Sequence, residues 1–251
     1  MKNSLLSGGD TYDFLVNWPK RLSIEIPFLT DIIKDRLSIG SGLLSIGCGT
    51  GQHLFELQNH YECSITGIDI NESMIEKAKQ RASKIKFIVA DFLDTDTLRN
   101  NKFDVIFSIG NSIGLISSTS GSYDHVVKKL GAHLTSTGVV IFQILNTTKE
   151  RNGWSAPRQV RTESGEYVFL RGFTTTKKFI HPEIITLFRA KEEDEFQLKT
   201  TGRANIPRIS VEAMTLLLQQ ANFTNIRVYG DYLKGSFNAQ TSSDMIFVAE
   251  R

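Results

Sequence analysis

Residues 43–54 have the sequence LLSIGCGTGQHL, and the predicted fold is built outward from this stretch. Its first four residues are a short apolar strand candidate, which runs directly into a loop containing Gly47, Gly49 and Gly51. Glycine between a strand and a helix lets the backbone approach a ligand closely, because the residue has no Cβ. Such a loop is by itself also compatible with an ordinary tight turn, so a second feature is needed.

Asp69 is that second feature. It ends the next predicted strand, residues 64–69, and lies 22 positions beyond Gly47. An acidic residue about 20 positions after a glycine loop can accept hydrogen bonds from both ribose hydroxyls of an adenosine. Its alternative role is to cap the following helix, which Asn71 could also do. Together the loop and the carboxylate favour an adenosine cofactor, and the G-x-G-x-G spacing differs from the nicotinamide fingerprint G-x-G-x-x-G.

Strands and helices alternate on both sides of this motif. Further strands are predicted at residues 85–90, 104–108 and 138–145. Helices are predicted at residues 52–59, 73–82, 123–134 and 211–222. Continuous apolar strands that alternate with helices indicate an α/β fold whose parallel sheet is covered on both faces. The last strands, 226–229 and 245–249, have no helix between them, which predicts an antiparallel pair.

Two segments follow other patterns. Residues 12–36 have apolar positions at helical spacing, with Pro19 and Pro27 as candidate breaks. Residues 159–205 interrupt the alternation and predict an antiparallel insertion with a turn at His181-Pro182. Its short strands are predicted at 168–170, 174–179, 184–189 and 195–201. The expected division is a helical lid (1–40), an α/β core (41–158), the insertion as a cap (159–205) and completion of the core (206–251).

Composition narrows the class of protein. The chain has 251 residues with 29 basic and 27 acidic side chains, and no basic block of the kind that duplex-binding proteins show. Cys48 and Cys63 form no CxxC pair, and the five scattered histidines are interpreted as structural, so no metal site or disulfide framework is predicted. No apolar run approaches the ~18 residues needed to cross a bilayer. A cytoplasmic protein that binds neither nucleic acid nor membrane is expected.

Four segments, in order, resemble the motifs of class I S-adenosylmethionine-dependent methyltransferases. They are LLSIGCGTGQHL at 43–54, GIDINESMIEKAKQRA at 67–82, IKFIVADFLD at 85–94 and FDVIFSIGNSIGLI at 103–116. The resemblance covers roughly residues 40–146 and implies a doubly wound, seven-stranded, mostly parallel Rossmann-like sheet with a reversed last strand. It also implies S-adenosylmethionine as the cofactor, with S-adenosylhomocysteine as the product.

The resemblance carries residue roles with it. Gly47, Gly49 and Gly51 would line the methionine part of the cofactor, and Asp69 would hold the ribose. The implied adenine contacts are Ile70, Met74, Asp91 and Phe92. One departure is Ser45, because the family usually has an acidic residue there that supports the loop. This departure leaves a cofactor-binding relative without activity among the alternatives.

The outer segments resemble the glycine N-methyltransferase group, which includes glycine/sarcosine methyltransferases. The similarity lies in GNS at 110–112 and in YDFLVNWPKRL at 12–22. By this resemblance Tyr12 and Arg21 contact the cofactor, and Arg21 could bind the cofactor's carboxylate. Tyr12 and Asn111 would take part in catalysis, and Trp18 would lie near the site. The structural alternatives are a core position for Trp18, a solvated helix face for Arg21 and a turn for Asn111.

The leading hypothesis is methyl transfer to the nitrogen of a small, amino-acid-like amine, since no obligatory general base for an alcohol is apparent. O- or S-methylation of another small metabolite is the second hypothesis. Methylation of RNA or protein is disfavoured by the formal net charge of +2. The oligomeric state is left open, with a homodimer among the alternatives.

Overall fold

The computed structural model describes residues 8–94 and 96–251, so residues 1–7 of the predicted lid lie outside it. The strands, in chain order, are β1 (Gly42–Ile46), β2 (Ser64–Asp69), β3 (Lys86–Val89), β4 (Phe103–Ser108), β5 (Leu134–Leu145), β6 (Gly153–Trp154), β7 (Arg158–Arg161), β8 (Gly165–Thr175), β9 (Phe179–Ala190), β10 (Gln197–Arg203), β11 (Ile206–Pro207), β12 (Thr224–Tyr229) and β13 (Asp244–Glu250). The helices are α1 (Gly9–Leu15), α2 (Trp18–Ile33), α3 (Gln52–Leu57), α4 (Glu72–Arg81), α5 (Ser112–Ser120), α6 (Tyr123–His133) and α7 (Val211–Gln220). None of the helices in the described ranges is long and apolar enough to cross a membrane.

A seven-stranded sheet forms the centre of the molecule, in the order β12-β13-β5-β4-β1-β2-β3. Strands β1 to β5 are mutually parallel, whereas β13 runs antiparallel to both β5 and β12. The predicted α/β fold with a reversed last strand is therefore confirmed. The reversal arises because β12 and β13 are joined by a loop without an intervening helix, as the sequence indicated.

Both faces of this sheet are buried. On β4, Ile106 belongs to the core under α6 and α7, while Val105 and Phe107 belong to the core under α2, α3 and α4. Successive side chains of a strand point to opposite faces, so a strand buried on both sides is apolar at most of its positions. Burying one such aliphatic side chain contributes about 1.5–3 kcal/mol.

A second, antiparallel sheet is formed by β6 to β11, with the order β10-β9-β8-β6, β7 paired to β8 and β11 paired to β9. The prediction of an antiparallel insertion is confirmed, but its turn was misplaced. His181 and Pro182 lie inside β9, opposite Thr174 and Phe173. The chain instead turns at the exposed residues 176–178, where the Thr176 N–H donates to the Phe179 carbonyl at 2.8 Å. The predicted strand 174–179 therefore spans a turn.

The N-terminal segment forms two helices, which meet at residues 16–17. Asn17 caps α2, its side chain accepting from the Lys20 N–H, and Pro19 falls in the first turn, where a missing N–H costs nothing. Pro27, in contrast, lies inside α2 without ending it. Helix α5 and the short strands β6, β7 and β11 were not predicted. Helix α5 consists mainly of small and β-branched residues and has little amphipathic character.

Candidate functional site

The glycine loop follows β1 and has left-handed backbone at Gly47, Gly49 and Gly51, with φ of +65°, +55° and +76°. A Cβ on Gly47 would collide with the side chain of Ser112, and one on Gly51 would lie 3.0 Å from Ala78 and Phe87. A Cβ on Gly49 would meet only the Tyr12 ring, at 3.5 Å. The outer two glycines are therefore required by packing, while Gly49 faces α1.

Asp69 joins the ends of β1 and β2. Its Oδ2 accepts a hydrogen bond from the Gly49 N–H at 2.9 Å, and its Oδ1 accepts one from the Asn71 N–H at 2.9 Å. Burial raises the pKa of Asp69, against the effect of these backbone donors. The helix-capping alternative falls to Asn71, whose side chain accepts from the Ser73 N–H at the start of α4. A carboxylate has about four acceptor positions, so Asp69 retains capacity for further donors.

Asp13 of α1 fastens the N-terminal helix to the glycine loop. Its Oδ1 accepts hydrogen bonds from Thr50 Oγ1 at 2.7 Å and from Trp18 Nε1 at 2.8 Å. Its Oδ2 accepts from Arg81 Nη2 of α4 at 3.2 Å. Sequence analysis missed this residue, because nothing local distinguishes it from a surface acid on a helix.

A buried ionic cluster lies beside Tyr12. Arg21 Nε donates to both carboxylate oxygens of Glu25, at 2.8 and 2.9 Å, and Glu25 also bonds His53 Nε2 at 2.5 Å. Arg21 Nη1 lies 3.5 Å from the Tyr12 hydroxyl, and the Trp18 ring makes edge contacts with both Tyr12 and His53. Arg21 is thus ion-paired rather than solvated, and Trp18 is a packing residue of this cluster.

Electrostatics fix the protonation of the cluster. Burial raises the pKa of Tyr12 despite the nearby Arg21 charge. Burial opposes the charge of Arg21, yet Tyr12 and Glu25 together raise its pKa. Burial also opposes the charge of Glu25, but the His53 hydrogen bond and Arg21 lower its pKa. Burial lowers the pKa of His53, so its neutral ring donates to the Glu25 carboxylate near neutral pH. Sequence analysis missed Glu25 and interpreted His53 as structural.

Asn111 stands where β4 meets α5, with left-handed backbone at φ +66°. Its side-chain Oδ1 accepts from the Leu145 N–H at 3.0 Å, and its own N–H donates to Gln143 Oε1 at 2.8 Å. Gln143 Nε2 in turn donates to Asp244 Oδ1 at 2.6 Å, and burial raises the pKa of Asp244. The turn-forming role of Asn111 is therefore realised. A catalytic role for its amide stays a prediction.

Residues 43–138 match the model of a family described as a methyltransferase domain. The curated relatives matched include a dTDP-3-amino-3,4,6-trideoxy-alpha-D-glucopyranose N,N-dimethyltransferase from Streptomyces venezuelae, 27% identical over 135 residues, which are 53% of this chain and 55% of that protein. The chain spans about half the length of the first curated relatives it matches.

Solved structures resemble the whole chain. The sugar N-methyltransferase KedS8 from Streptoalloteichus sp ATCC 53650 superposes with a TM-score of 0.76 at 18% identity, covering 96% of this chain and 92% of that one. The amino pentose methyltransferase CalS10 from Micromonospora echinaspora, solved with S-adenosylmethionine bound, gives 0.72 at 16% identity, covering 96% and 95%. These likenesses show the Rossmann-like methyltransferase fold. Neither comparison singles out the glycine/sarcosine group.

Among the residues with predicted adenine contacts, Ile70 is 48% exposed just after β2. Met74 and Phe92 are instead buried, and the Phe92 ring lies in the core, 6.1 Å from the His133 ring. Asp91 accepts from the Leu93 N–H at 3.1 Å and so forms a turn after β3. The structure thus presents Ile70 at the surface, but gives Phe92 a packing position.

Two buried polar atoms in the segments that follow β5 and β12 have no hydrogen-bond partner within the described residues: Arg151 Nε and Tyr232 Oη. Tyr232 lies close enough to Glu25, Arg21 and Asp244 to respond to their charges, and burial raises its pKa. A buried polar atom without a partner costs about 1–3 kcal/mol. Such atoms are typical of a region that receives a ligand or water. Within residues 8–94 and 96–251, no cluster of three or more His, Cys, Asp or Glu side chains could hold a metal ion.

Proposed function

We propose that this protein transfers a methyl group from S-adenosylmethionine to the nitrogen of a small-molecule amine. The observation that carries the proposal is the bond between the Asp69 carboxylate and the Gly49 N–H, inside a region that matches a methyltransferase domain. This bond places the Asp69 carboxylate, which can accept further hydrogen bonds, beside a loop whose glycines have no side chains. That is the arrangement an adenosine-containing ligand requires.

The residues present fit this cofactor. The glycine loop of Gly47, Gly49 and Gly51 would accept the methionine part, Asp69 the ribose hydroxyls and the exposed Ile70 one face of the adenine. The cofactor supplies a methyl group activated on a sulfonium sulfur. Roles for Met74, Asp91 and Phe92 beside the adenine stay predictions, as does the effect of Ser45, which is 3% exposed inside β1.

The chain's own residues set the position and protonation of the acceptor. The Tyr12 ring of α1 lies next to Gly49. Arg21, which belongs to the cluster with Glu25 and His53, contacts the Tyr12 hydroxyl. An amine must be neutral to attack a methyl group, and its partial desolvation in the site would favour the neutral form. In this proposal residues 1–40 act as a lid and residues 159–205 as a substrate cap over the core of 41–158 and 206–251. Both exclude water from the reacting atoms.

A nitrogen acceptor is supported by the Streptomyces venezuelae relative, which is an N,N-dimethyltransferase of a dTDP-amino sugar. O- or S-methylation and an inactive cofactor-binding relative are the competing proposals. A cytoplasmic location and a small-molecule acceptor, with no nucleic-acid or membrane partner, belong to the proposal as well.

The experiment is a methyl-acceptor panel with S-adenosylmethionine, in which mass spectrometry follows both S-adenosylhomocysteine and the methylated product. The panel contains glycine, sarcosine, a dTDP-amino sugar, a catechol and a thiol. A mass increase of one methyl group on an amine supports the proposal. Methylation of only the catechol or the thiol would contradict a nitrogen acceptor and support O- or S-methylation. Cofactor binding without any methylated product would support an inactive cofactor-binding relative.

A further inference from the structure

The second sheet has an inner face, which is turned toward α1. Phe169 of β8 and Ile184 of β9 are buried against Leu15 of α1, and the Tyr167 ring lies 5.4 Å from the Phe14 ring. Because side chains alternate along a strand, every second residue from Tyr167 onward shares this face. The inner face therefore lies beside the helix that carries Tyr12.

Two arginines stand on this inner face. Arg171 follows Phe169 by two positions on β8 and pairs with Ile184. Arg158 of β7 pairs directly with Phe169. The two arginines are thus diagonal neighbours, and residues in this relation have Cα atoms about 7–8 Å apart. Their guanidinium groups are within reach of one common ligand.

The outer face of the same sheet provides the contrast. There Arg189 contacts Glu166 at 2.8 Å and Arg203 contacts Glu183 at 2.8 Å, each with the acid directly opposite in the strand register. Within the described part of the chain, neither Arg158 nor Arg171 has a carboxylate or another hydrogen-bond acceptor for its guanidinium. The outer-face arginines Arg189 and Arg203 are therefore paired with carboxylates, whereas the two inner-face arginines, which are both exposed, are not.

The surroundings of Arg171 disfavour its positive charge. Arg171 is exposed at its surface, yet partial burial lowers its pKa. The charges of Arg158 and Arg21 lower the pKa further, whereas the Tyr12 hydroxyl raises it. Like charges on one sheet face destabilise the fold unless something offsets them. Arg21 already has Glu25 as its partner, which leaves the two cap arginines for an external anion.

We propose that Arg158 and Arg171 bind an anionic group, a carboxylate or a phosphate, carried by the methyl acceptor. This rests on the proposed function and narrows its substrate class to amines that also bear an acidic group. Guanidinium groups bind both kinds of anion through paired N–H donors, so the arginines alone do not separate an amino acid from a phosphorylated amine or a nucleotide sugar.

The test is calorimetric titration of the intact protein, saturated with S-adenosylhomocysteine, with three probes: inorganic pyrophosphate, thymidine diphosphate and sarcosine. The variants are Arg158→Gln, Arg171→Gln and, as a matched control from the outer face, Arg203→Gln. At least one probe is expected to bind the unaltered protein and Arg203→Gln equally. Binding should weaken about tenfold or more in each inner-face variant, as expected for loss of a hydrogen bond to a charged group.

Each result has a defined meaning. Arginine-dependent binding of pyrophosphate or thymidine diphosphate identifies a phosphate-bearing acceptor, and arginine-dependent binding of sarcosine identifies a carboxylate-bearing one. Equal binding to all variants, or no binding of any probe, overturns the inference while leaving the proposed function intact if S-adenosylhomocysteine binds. If S-adenosylhomocysteine itself fails to bind, the proposed function fails, and the same titrations without it decide the inference. Thermal melts should show no loss of stability for Arg158→Gln and Arg171→Gln, because each removes one of two like charges and gives up no internal partner.

Discussion

Thr50 Oγ1 of the glycine loop donates a hydrogen bond of 2.7 Å to Asp13 Oδ1 of α1. This contact spans 37 positions of sequence and connects the N-terminal helix to the loop expected to hold the cofactor. Trp18 and Arg81 bond the same carboxylate, so Asp13 joins α1, α2, the glycine loop and α4. Asp13 is therefore one of the contacts that hold the N-terminal helices against the glycine loop.

Asp13→Ala should weaken binding of S-adenosylhomocysteine about tenfold, because hydrogen bonds involving a charged partner contribute roughly 1.5–3 kcal/mol. Calorimetry measures the affinity, and Asp31→Ala on the exposed face of α2 is the matched control. Limited proteolysis should cut the Asp13→Ala protein within residues 9–20 faster than the control. Unchanged affinity together with unchanged proteolysis would show that α1 does not depend on Asp13.

Gly47→Ala should destabilise the protein by more than the strain of placing alanine at a positive φ. Forcing a left-handed alanine costs roughly 1–2 kcal/mol, and at position 47 the new Cβ also collides with Ser112. Gly121→Ala is the control, since Gly121 has φ +71° but no atom within 4 Å of an added Cβ. Urea unfolding of both variants gives the two free energies. Equal losses of stability would mean that the β1–α3 loop is not packed against α5 as described.

His53 should make stability depend on pH. Burial lowers its pKa in the folded protein, so the unfolded chain takes up a proton at a higher pH than the folded one. Stability should therefore fall as the pH drops from about 7, with a slope of at most about 1.4 kcal/mol per pH unit from this residue. His53→Gln keeps a donor for Glu25 and should remove this contribution, whereas His60→Gln at an exposed position should not. Urea unfolding at pH 7.5 and pH 5.5 makes the comparison, and identical pH dependence in all three proteins would contradict it.

Two substitutions of Asn111 distinguish a structural role of this residue from a catalytic one. Asn111→Ala loses the bond to the Leu145 N–H and forces alanine into left-handed backbone, so it should lose roughly 1–3 kcal/mol of stability. Asn111→Asp keeps the Oδ1 acceptor but lacks the amide donor. It should remain nearly as stable as the parent and lose about tenfold or more in turnover, in line with loss of one positioned hydrogen bond. Full turnover in a stable Asn111→Asp protein would restrict Asn111 to forming the turn.

The central sheet was predictable because its signals are local. Strands such as β4 and β5 contain short apolar runs, Val105–Phe107 and Val139–Phe142, which a sheet covered on both faces can bury. The absence of a helix between β12 and β13 predicted the reversed strand. Helix α5 was missed because Ser112–Ser120 has little amphipathic character and Leu115 is its only strong helix former. The turn of the β8–β9 hairpin was misplaced because proline usually marks turns, whereas here Pro182 lies within the ladder.

The site was predictable only in part. Gly47, Gly49, Gly51 and Asp69 are separated by a spacing that one strand and one helix impose, so their proximity follows from the chain. Glu25 and His53 meet across 28 positions, and Asp13 meets Arg81 across 68. Such pairs depend on how α1 and α2 pack on the sheet, which no local pattern encodes. The unpaired state of Arg158 and Arg171 likewise emerges only from strand register.

The most direct test of the central claim is calorimetric titration with S-adenosylhomocysteine of the parent protein, Asp69→Asn and the control Asp31→Asn. We predict micromolar binding to the parent and to Asp31→Asn, with a loss of about 10- to 100-fold in Asp69→Asn, because its carboxylate is expected to accept the ribose hydroxyls. Circular dichroism confirms that the variants are folded. Absence of binding to the folded parent protein, or equal binding to all three proteins, would contradict the assignment of this site.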